Sequence, residues 1–337
     1  MNGGQQAGYW PLRELIAAYE AGFPGEGRHV LSFVMTSCMP KMKKWIIEYA
    51  VTSVNEHGER LEENVIGKVF SDHEKGQASY RIMKYLWENG MNLDPRYTIV
   101  RPIAYIEAYN VMLMSKAPGT EVKDWLHEGS KGEEAASHAA EWLIRLHRVP
   151  VLDGGRHGRT RAEADTVRII SELCDAVPDK AAELRSFGER LHRQEGRPHA
   201  GATASVMLHG DFHVKNIFWD GTRATAIDFD HHFVGDAAWD VAYHACQIQL
   251  SAFFKQGDFH RFRPAVRNFL DTYLAAVPES QRGTFLTRLS CYRSRSLLES
   301  LHYELCVCKT GAFHIVDSFL EECGLSLQGQ GKGLIGC

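Results

Sequence analysis

Between His29 and Met114 the apolar residues come in short β-rich runs: His29–Val34, Trp45–Val54, Asn64–Phe70, Ile99–Ile106 and Val111–Met114. Turn residues separate them, and runs of this length and composition predict strands. Asn55-Glu56-His57-Gly58, between the second and third runs, reads as a hairpin turn. One stretch departs from the strand pattern. Over Glu74–Glu88, Ile82, Met83, Leu86 and Trp87 fall at helical spacing, with Gly90 just past the end. This half of the pattern predicts a five-stranded antiparallel sheet with one helix.

Lys116-Ala117-Pro118-Gly119 reads as a turn-forming connector, and beyond it helical periodicity takes over. Glu133–His147 places Ala140, Leu143, Ile144 and His147 on one face, and Thr166–Leu173 and Ala181–Leu191 continue the pattern. The chain is therefore expected to be α+β, with an N-terminal lobe over residues 1–115 and a mainly helical lobe over residues 116–337. A β-rich island, Met207–Phe229, interrupts the helices. Loops held by such a rigid surround are where reactive groups are placed. No segment repeats at a fixed period, which excludes solenoids and propellers. The last residues, Gln328–Cys337, are rich in glycine.

Composition narrows the class. A chain of 337 residues with 44% hydrophobic and 24% charged residues can bury a large core and is expected to be soluble and globular. A net charge of −4 supplies no basic field for wrapping nucleic acid. Met1–Glu20 lacks the basic and apolar stretches of a secretory signal, and no segment is apolar enough to span a bilayer, so the expected location is the cytosol. The eight cysteines form no C-x-x-C pair; Cys306-Val307-Cys308 comes nearest, and reduced thiols are expected.

The island carries the candidate chemistry: His209-Gly210-Asp211-Phe212-His213-Val214-Lys215-Asn216, then Ile227-Asp228-Phe229-Asp230. Phosphoryl transfer needs a carboxylate near the acceptor hydroxyl, hard oxygen ligands for Mg²⁺ and a cation on the phosphates. These motifs resemble the aminoglycoside phosphotransferase and choline kinase superfamily, whose signature is His-Gly-Asp, four residues, Asn, and a later Asp-x-Asp. Val65–Phe70 looks like the superfamily's lysine-bearing strand and Trp142–His147 like its helix before the catalytic loop. Gly235-Asp236 with Asp240-Val241-Ala242 looks like the segment after the metal aspartate. The resemblance runs from about Val65 to Tyr243.

The resemblance implies a two-lobed, protein-kinase-like fold and a small-molecule kinase that uses ATP or GTP with Mg²⁺. Asp211 would be the catalytic base, Asn216 and Asp228 the metal ligands, and Lys68 the cation on the α/β-phosphates. His209 would shape the loop, Asp240 brace it, and Asp230 touch a second metal or cap a turn. Around Met114 the backbone would meet the nucleotide base. Pro40-Lys41-Met42-Lys43-Lys44 holds the place of the loop over the phosphates, with Lys43 as its phosphate-binding candidate. The superfamily's helix glutamate is missing at Ser79-Tyr80-Arg81, which leaves Glu74 as the nearest acid to partner Lys68.

Two other readings stay open. His209-x-Asp211-x-His213 and Asp230-His231-His232 superficially resemble metallohydrolase ligand sets, which suggests a metal-dependent phosphoesterase. A catalytically silent nucleotide-binding scaffold on the same fold is the third. The partner in the kinase reading is a small hydroxyl-bearing acceptor such as an antibiotic, sugar or amino alcohol. Its cleft is expected among the helices after Asp240, where Phe253, Phe254, Phe259, Phe262, Tyr292 and Tyr303 supply rings and Lys255, Arg261, Arg263 and Arg267 supply positive charge.

Overall fold

Both periodicities form the expected kinds of element in the computed structural model, which describes residues 11–41, 44–152, 159–195, 205–329 and 334. Helix α1 (Leu12–Ala21) precedes strands β1 (His29–Lys41), β2 (Lys44–Val54) and β3 (Arg60–Phe70), helix α2 (His73–Leu86), and strands β4 (Tyr97–Ile99), β5 (Pro102–Ile106) and β6 (Val111–Ser115). Then come β7 (Thr120–Glu121), α3 (Val122–Trp125), α4 (Ser130–Leu146), α5 (Arg159–Ala176) and α6 (Ala181–Glu195). The island region forms β8 (Val206–Leu208), β9 (Ile217–Trp219) and β10 (Ala224–Ala226), and β11 (Phe233–Gly235) follows it. Helices α7 (Ala238–Gln256), α8 (Arg263–Ala275), α9 (Glu279–His302) and α10 (Val316–Leu327) complete the chain. The fold is α+β, and none of the described helices is long and apolar enough to cross a membrane.

The described residues divide into two units. The first holds the chain up to Asp94, Ile99–Pro118 and Ala226–Asp230; the second holds Pro95–Thr98, Gly119–Thr225 and the chain from His231 on. Ala226–Asp230, a late segment of the chain, joins the sheet-bearing unit.

In the first unit the sheet order is β1-β2-β3-β6-β5, antiparallel throughout. Burial alternates along β2, so Ile47, Tyr49 and Val51 face a core shared with Val65, Leu113, and Leu15 and Tyr19 of α1. The opposite set of positions, Lys44, Ile46, Lys68, Met112 and Met114, lies on the other face by register, because Ile46 pairs with Lys68, Lys68 with Met112, and Ile66 with Met114. Helix α2 starts at Asp72, whose carboxylate accepts from the Lys75 backbone amide at 3.1 Å.

The structure departs from the sequence reading in two places. Helix α1 has no counterpart in the sequence reading, where Met1–Glu20 is noted only for lacking a secretory signal, yet Leu15 and Tyr19, one turn apart, are buried. The run Ile99–Ile106 is two strands in two sheets, and Pro102, which has no amide proton to donate, stands at the break. The ends of β1 and β2 pair, Pro40 with Trp45 and Lys41 with Lys44.

In the second unit α4 packs on α8, and α7 and α10 pack on α9. The core joins Leu173, Leu184, Leu250, Leu298 and Phe319 from five helices. Buried Arg293 crosses it and is matched, its Nε donating to Gln249 Oε1 at 2.8 Å and its guanidinium to the Glu322 carboxylate and Ser326 hydroxyl. A second sheet, β4-β10-β9-β7, is held in part by the connector turn. Gly119 there has φ +78°, and a Cβ would sit 2.3 Å from the Trp219 carbonyl oxygen.

His244 of α7 is fully buried, its ring 4.8 Å from Phe212 and 4.6 Å from Phe269, with Nδ1 3.0 Å from the Phe212 carbonyl oxygen. Burial pushes its pKa down to about 3, so the fold keeps it neutral while the unfolded chain protonates it below about 6.5. Stability should therefore fall as pH drops below about 6.5, by up to about 1.4 kcal/mol per pH unit from this group, and level off near the folded pKa. Urea unfolding of the wild type and His244→Gln between neutral and acidic pH checks this; identical pH slopes would refute it.

Candidate active site

Lys44 and Lys68 share a sheet face because Lys44 pairs with Phe70, two residues beyond Lys68. Both ammonium groups meet the carboxylates of the Ala226–Asp230 segment, in the same unit. Lys68 Nζ lies 2.8 Å from Asp228 Oδ1 and 2.6 Å from Asp230 Oδ1. Lys44 Nζ lies 2.7 Å from Asp228 Oδ2 and 3.3 Å from Asp230 Oδ2. Ser79, at the place of the missing helix glutamate, donates its hydroxyl to Asp230 Oδ1 at 2.5 Å. The partners of Lys68 are thus the two aspartates, and Glu74 is exposed. A short serine frees Asp230 to take the role a longer acid on α2 would fill.

Electrostatics follow from this crossing. Burial by itself would raise the Asp228 pKa, but Lys68 and Lys44 hold the carboxyl well below its usual range. Burial would lower that of Lys44, but Asp228 and Asp230 raise it. Asp228 has φ 66°, left-handed backbone that non-glycine residues rarely adopt. Such outliers persist where the surroundings over-determine them.

In the second unit the loop His209–Asn216 is anchored from behind. Asp240, fully buried in the first turn of α7, accepts from the backbone amides of His209 at 2.7 Å and Gly210 at 3.0 Å. His147 Nε2 lies 3.4 Å from the same carboxylate. Gly210 is required where it stands: its φ is +79°, and a Cβ would come within 2.0 Å of the His231 carbonyl oxygen. Asn216 donates its amide to the Asp211 carbonyl oxygen at 2.9 Å, which fixes the side chain and leaves the amide oxygen as the group a hard cation would use.

Asp211 Oδ1 accepts from the Tyr243 hydroxyl at 2.8 Å, and Oδ2 lies 3.8 Å from His213 Nε2. Burial and the adjacent Asp211 carboxylate push the Tyr243 phenol well above its ordinary range, so it stays a donor. Both residues line a cavity of about 970 Å³ that lies wholly within the second unit. Its walls carry carboxylates (Glu128, Glu299, Glu304) and ammonium groups (Lys123, Lys215, Lys255). Of the rings expected there, Phe254 and Tyr303 line it, whereas Phe259 is buried and stacks on Phe253 at 4.2 Å. Of the late basic cluster, Lys255 alone is among its lining residues.

Two clusters thus gather the sequence-derived candidates: Lys68, Asp228 and Asp230 in one unit, and His209, Asp211, Asn216 and Asp240 in the other. Met114 is buried on β6, on the Lys68 face of the sheet. Lys43 lies outside the described residues. Sequence reading passed over Tyr243 and Ser79 and did not single out Lys44. Tyr243 had a usable signal, since it follows Asp240 by three residues and so shares its helix face.

The donor set suits magnesium, which takes one or two carboxylates and fills its remaining positions with water and phosphate oxygens. Among the described residues no group of three or more His, Cys, Asp or Glu side chains is assembled as a hydrolase metal centre would require.

A sequence profile of the phosphotransferase enzyme family matches residues 61–285, more than half of the chain. No curated protein matches by sequence. Among solved structures, the chain is similar to a choline kinase from Cryptosporidium parvum Iowa II, with 11% identity and a TM-score of 0.59 over 94% of this chain and 95% of that one. It is also similar to a choline/ethanolamine kinase family protein from Mesorhizobium loti, with 12% identity and a TM-score of 0.54 over 94% and 95%. APH(2'')-IIa, solved as a ternary complex with streptomycin and ATP, gives 15% identity and a TM-score of 0.51 over 96% and 98%. At such identities the likeness establishes the fold, and the profile establishes kinship. Because the matched span runs from the strand bearing Lys68 past Asp240, the chain belongs to the phosphotransferase enzyme family and carries a protein-kinase-like fold.

Proposed function

We propose that the protein is a small-molecule kinase that transfers the γ-phosphate of ATP or GTP to a hydroxyl of an acceptor bound in the Asp211 cavity. The observation that carries this reading is the position of Asp211: one carboxylate oxygen is held by Tyr243 on the wall of a cavity large enough for a drug-sized molecule. Walls of both signs suit a hydroxylated acceptor of mixed polarity, such as an antibiotic, sugar or amino alcohol, better than a polycation alone. The nucleotide and the free cysteines among the described residues fit a cytosolic setting.

In this mechanism Asp211 orients the acceptor hydroxyl and takes its proton as the oxygen attacks phosphorus. Tyr243 holds the carboxylate in one rotamer, and Asp240 holds the backbone that carries it. Lys68 neutralises nucleotide phosphate, and the buried face around Met114 receives the base. Asn216 and Asp228 would hold magnesium, which supplies charge neutralisation on the transferred phosphoryl group.

The test is incubation of the purified protein with γ-labelled ATP or GTP and panels of aminoglycosides, sugars and amino alcohols. Label should pass to a hydroxyl of one class with equal release of nucleoside diphosphate. Hydrolysis of phosphomonoesters without a nucleotide would establish the phosphoesterase instead. Nucleotide binding with no transfer to any acceptor class would favour the silent scaffold.

A further inference from the structure

The Lys–Asp crossing is layered. Lys68 and Asp230 form the inner pair, with side chains 2% and 3% exposed, and Ser79 ties Asp230 in place. Lys44 and Asp228 form the outer pair, at 26% and 24%. The inner pair holds together, and Lys68 adds a phosphate contact without leaving Asp230. The outer pair is reachable, and Lys44 sits on Asp228 Oδ2, the one oxygen of that carboxylate that Lys68 does not hold.

We propose that Lys44 is an internal counter-cation that closes the metal-binding face of Asp228 in the nucleotide-free protein and moves onto the nucleotide phosphates when the metal–nucleotide complex binds. The proposal rests on the kinase reading above, in which Asp228 is a magnesium ligand.

The reasoning is charge accounting. Two ammonium groups on two carboxylates make a neutral cluster, so a bare divalent ion approaching Asp228 meets an ammonium group already on the oxygen it needs. Like charges at that spacing repel strongly in a partly buried site. The ion can bind only if Lys44 leaves, and without nucleotide Lys44 would leave a charge-assisted bond for water alone. Nucleotide changes the balance, because its phosphates offer Lys44 an anion to replace Asp228. A compact ammonium on a flexible four-carbon stem can make that exchange without movement of β2. Lys68 stays on Asp230 throughout. Metal and nucleotide binding are thereby coupled through one side chain, and each should strengthen the other.

The effects of removing Lys44 have opposite signs for the two ligands, which a simple phosphate-binding lysine would not produce. Calorimetric titration of magnesium chloride alone and of ADP with chelator should be run on wild type, Lys44→Met, Lys44→Arg and Asp228→Ala. Lys44→Met should bind magnesium about tenfold more tightly and metal-free ADP about tenfold more weakly, the scale of one charge-assisted hydrogen bond. Lys44→Arg, which keeps the charge, should resemble wild type for both ligands and serves as the folding control. Asp228→Ala should lose magnesium binding.

Magnesium affinity unchanged or weakened in Lys44→Met, while Asp228→Ala still abolishes it, would overturn the Lys44 proposal and leave the kinase reading intact. Magnesium binding undiminished in Asp228→Ala would overturn the metal assignment, and the Lys44 proposal with it.

Discussion

Asp211→Asn is expected to lower turnover by about two to four orders of magnitude, the range of general-base contributions, while nucleotide and acceptor binding stay nearly intact. The asparagine keeps the size of the side chain, and its carbonyl oxygen can still accept from Tyr243, which now holds Asp211 Oδ1 at 2.8 Å. The loop itself should be undisturbed, because its anchors are the His209 and Gly210 amides on Asp240 and the Asn216 amide on the Asp211 backbone. What disappears is the ability to take a proton. A loose phosphoryl-transfer transition state demands little proton removal early, so part of the loss reflects misorientation of the hydroxyl. Steady-state kinetics with the identified acceptor, alongside calorimetry of both ligands, checks this. Near wild-type turnover in the folded variant would mean that another residue is the base.

Asp228→Ala should lower magnesium-dependent turnover further, by about three orders of magnitude or more, because in phosphoryl transfer most of the catalysis is positioning and charge neutralisation. The substitution removes the carboxylate that both lysines share. Lys68 keeps Asp230 at 2.6 Å, so the buried ammonium is not left without an anion, and the protein should still fold. Circular dichroism and thermal melting establish the fold, and turnover is then measured across a magnesium titration. Wild-type rates at ordinary magnesium concentrations would place the metal elsewhere.

The sheet-bearing unit was legible because strand alternation and turn chemistry are local properties of the chain. The runs that became β2, β3 and β6 each carried their own signal, as did the Asp72-capped helix that follows β3. The loop His209–Asn216 was legible for the same reason: Asp211 and Asn216 stand five residues apart on one turn, so spacing alone brings them together. Helix α1 was missed because its apolar face is short and gains its meaning only from the sheet core it covers. The break at Pro102 and the membership of Ala226–Asp230 depend on which strands pair, which no window of sequence contains.

Side-chain partnerships across long separations were likewise left to the tertiary structure. Sequence pointed to Lys68 but left its anion open between an absent glutamate and Glu74. The answer, Asp228 and Asp230, lies 160 and 162 residues away. Lys44 reaches the same carboxylates because β2–β3 register puts it on the Lys68 face; a slip of one residue would point it to the opposite side. Tyr243 meets Asp211 because Asp240 docks the first turn of α7 on the loop. The residue types that make phosphoryl-transfer chemistry possible were present in the motifs. Which charge neutralises which was decided by register and helix docking, because an ion pair depends on distances of a few ångströms that only the folded chain defines.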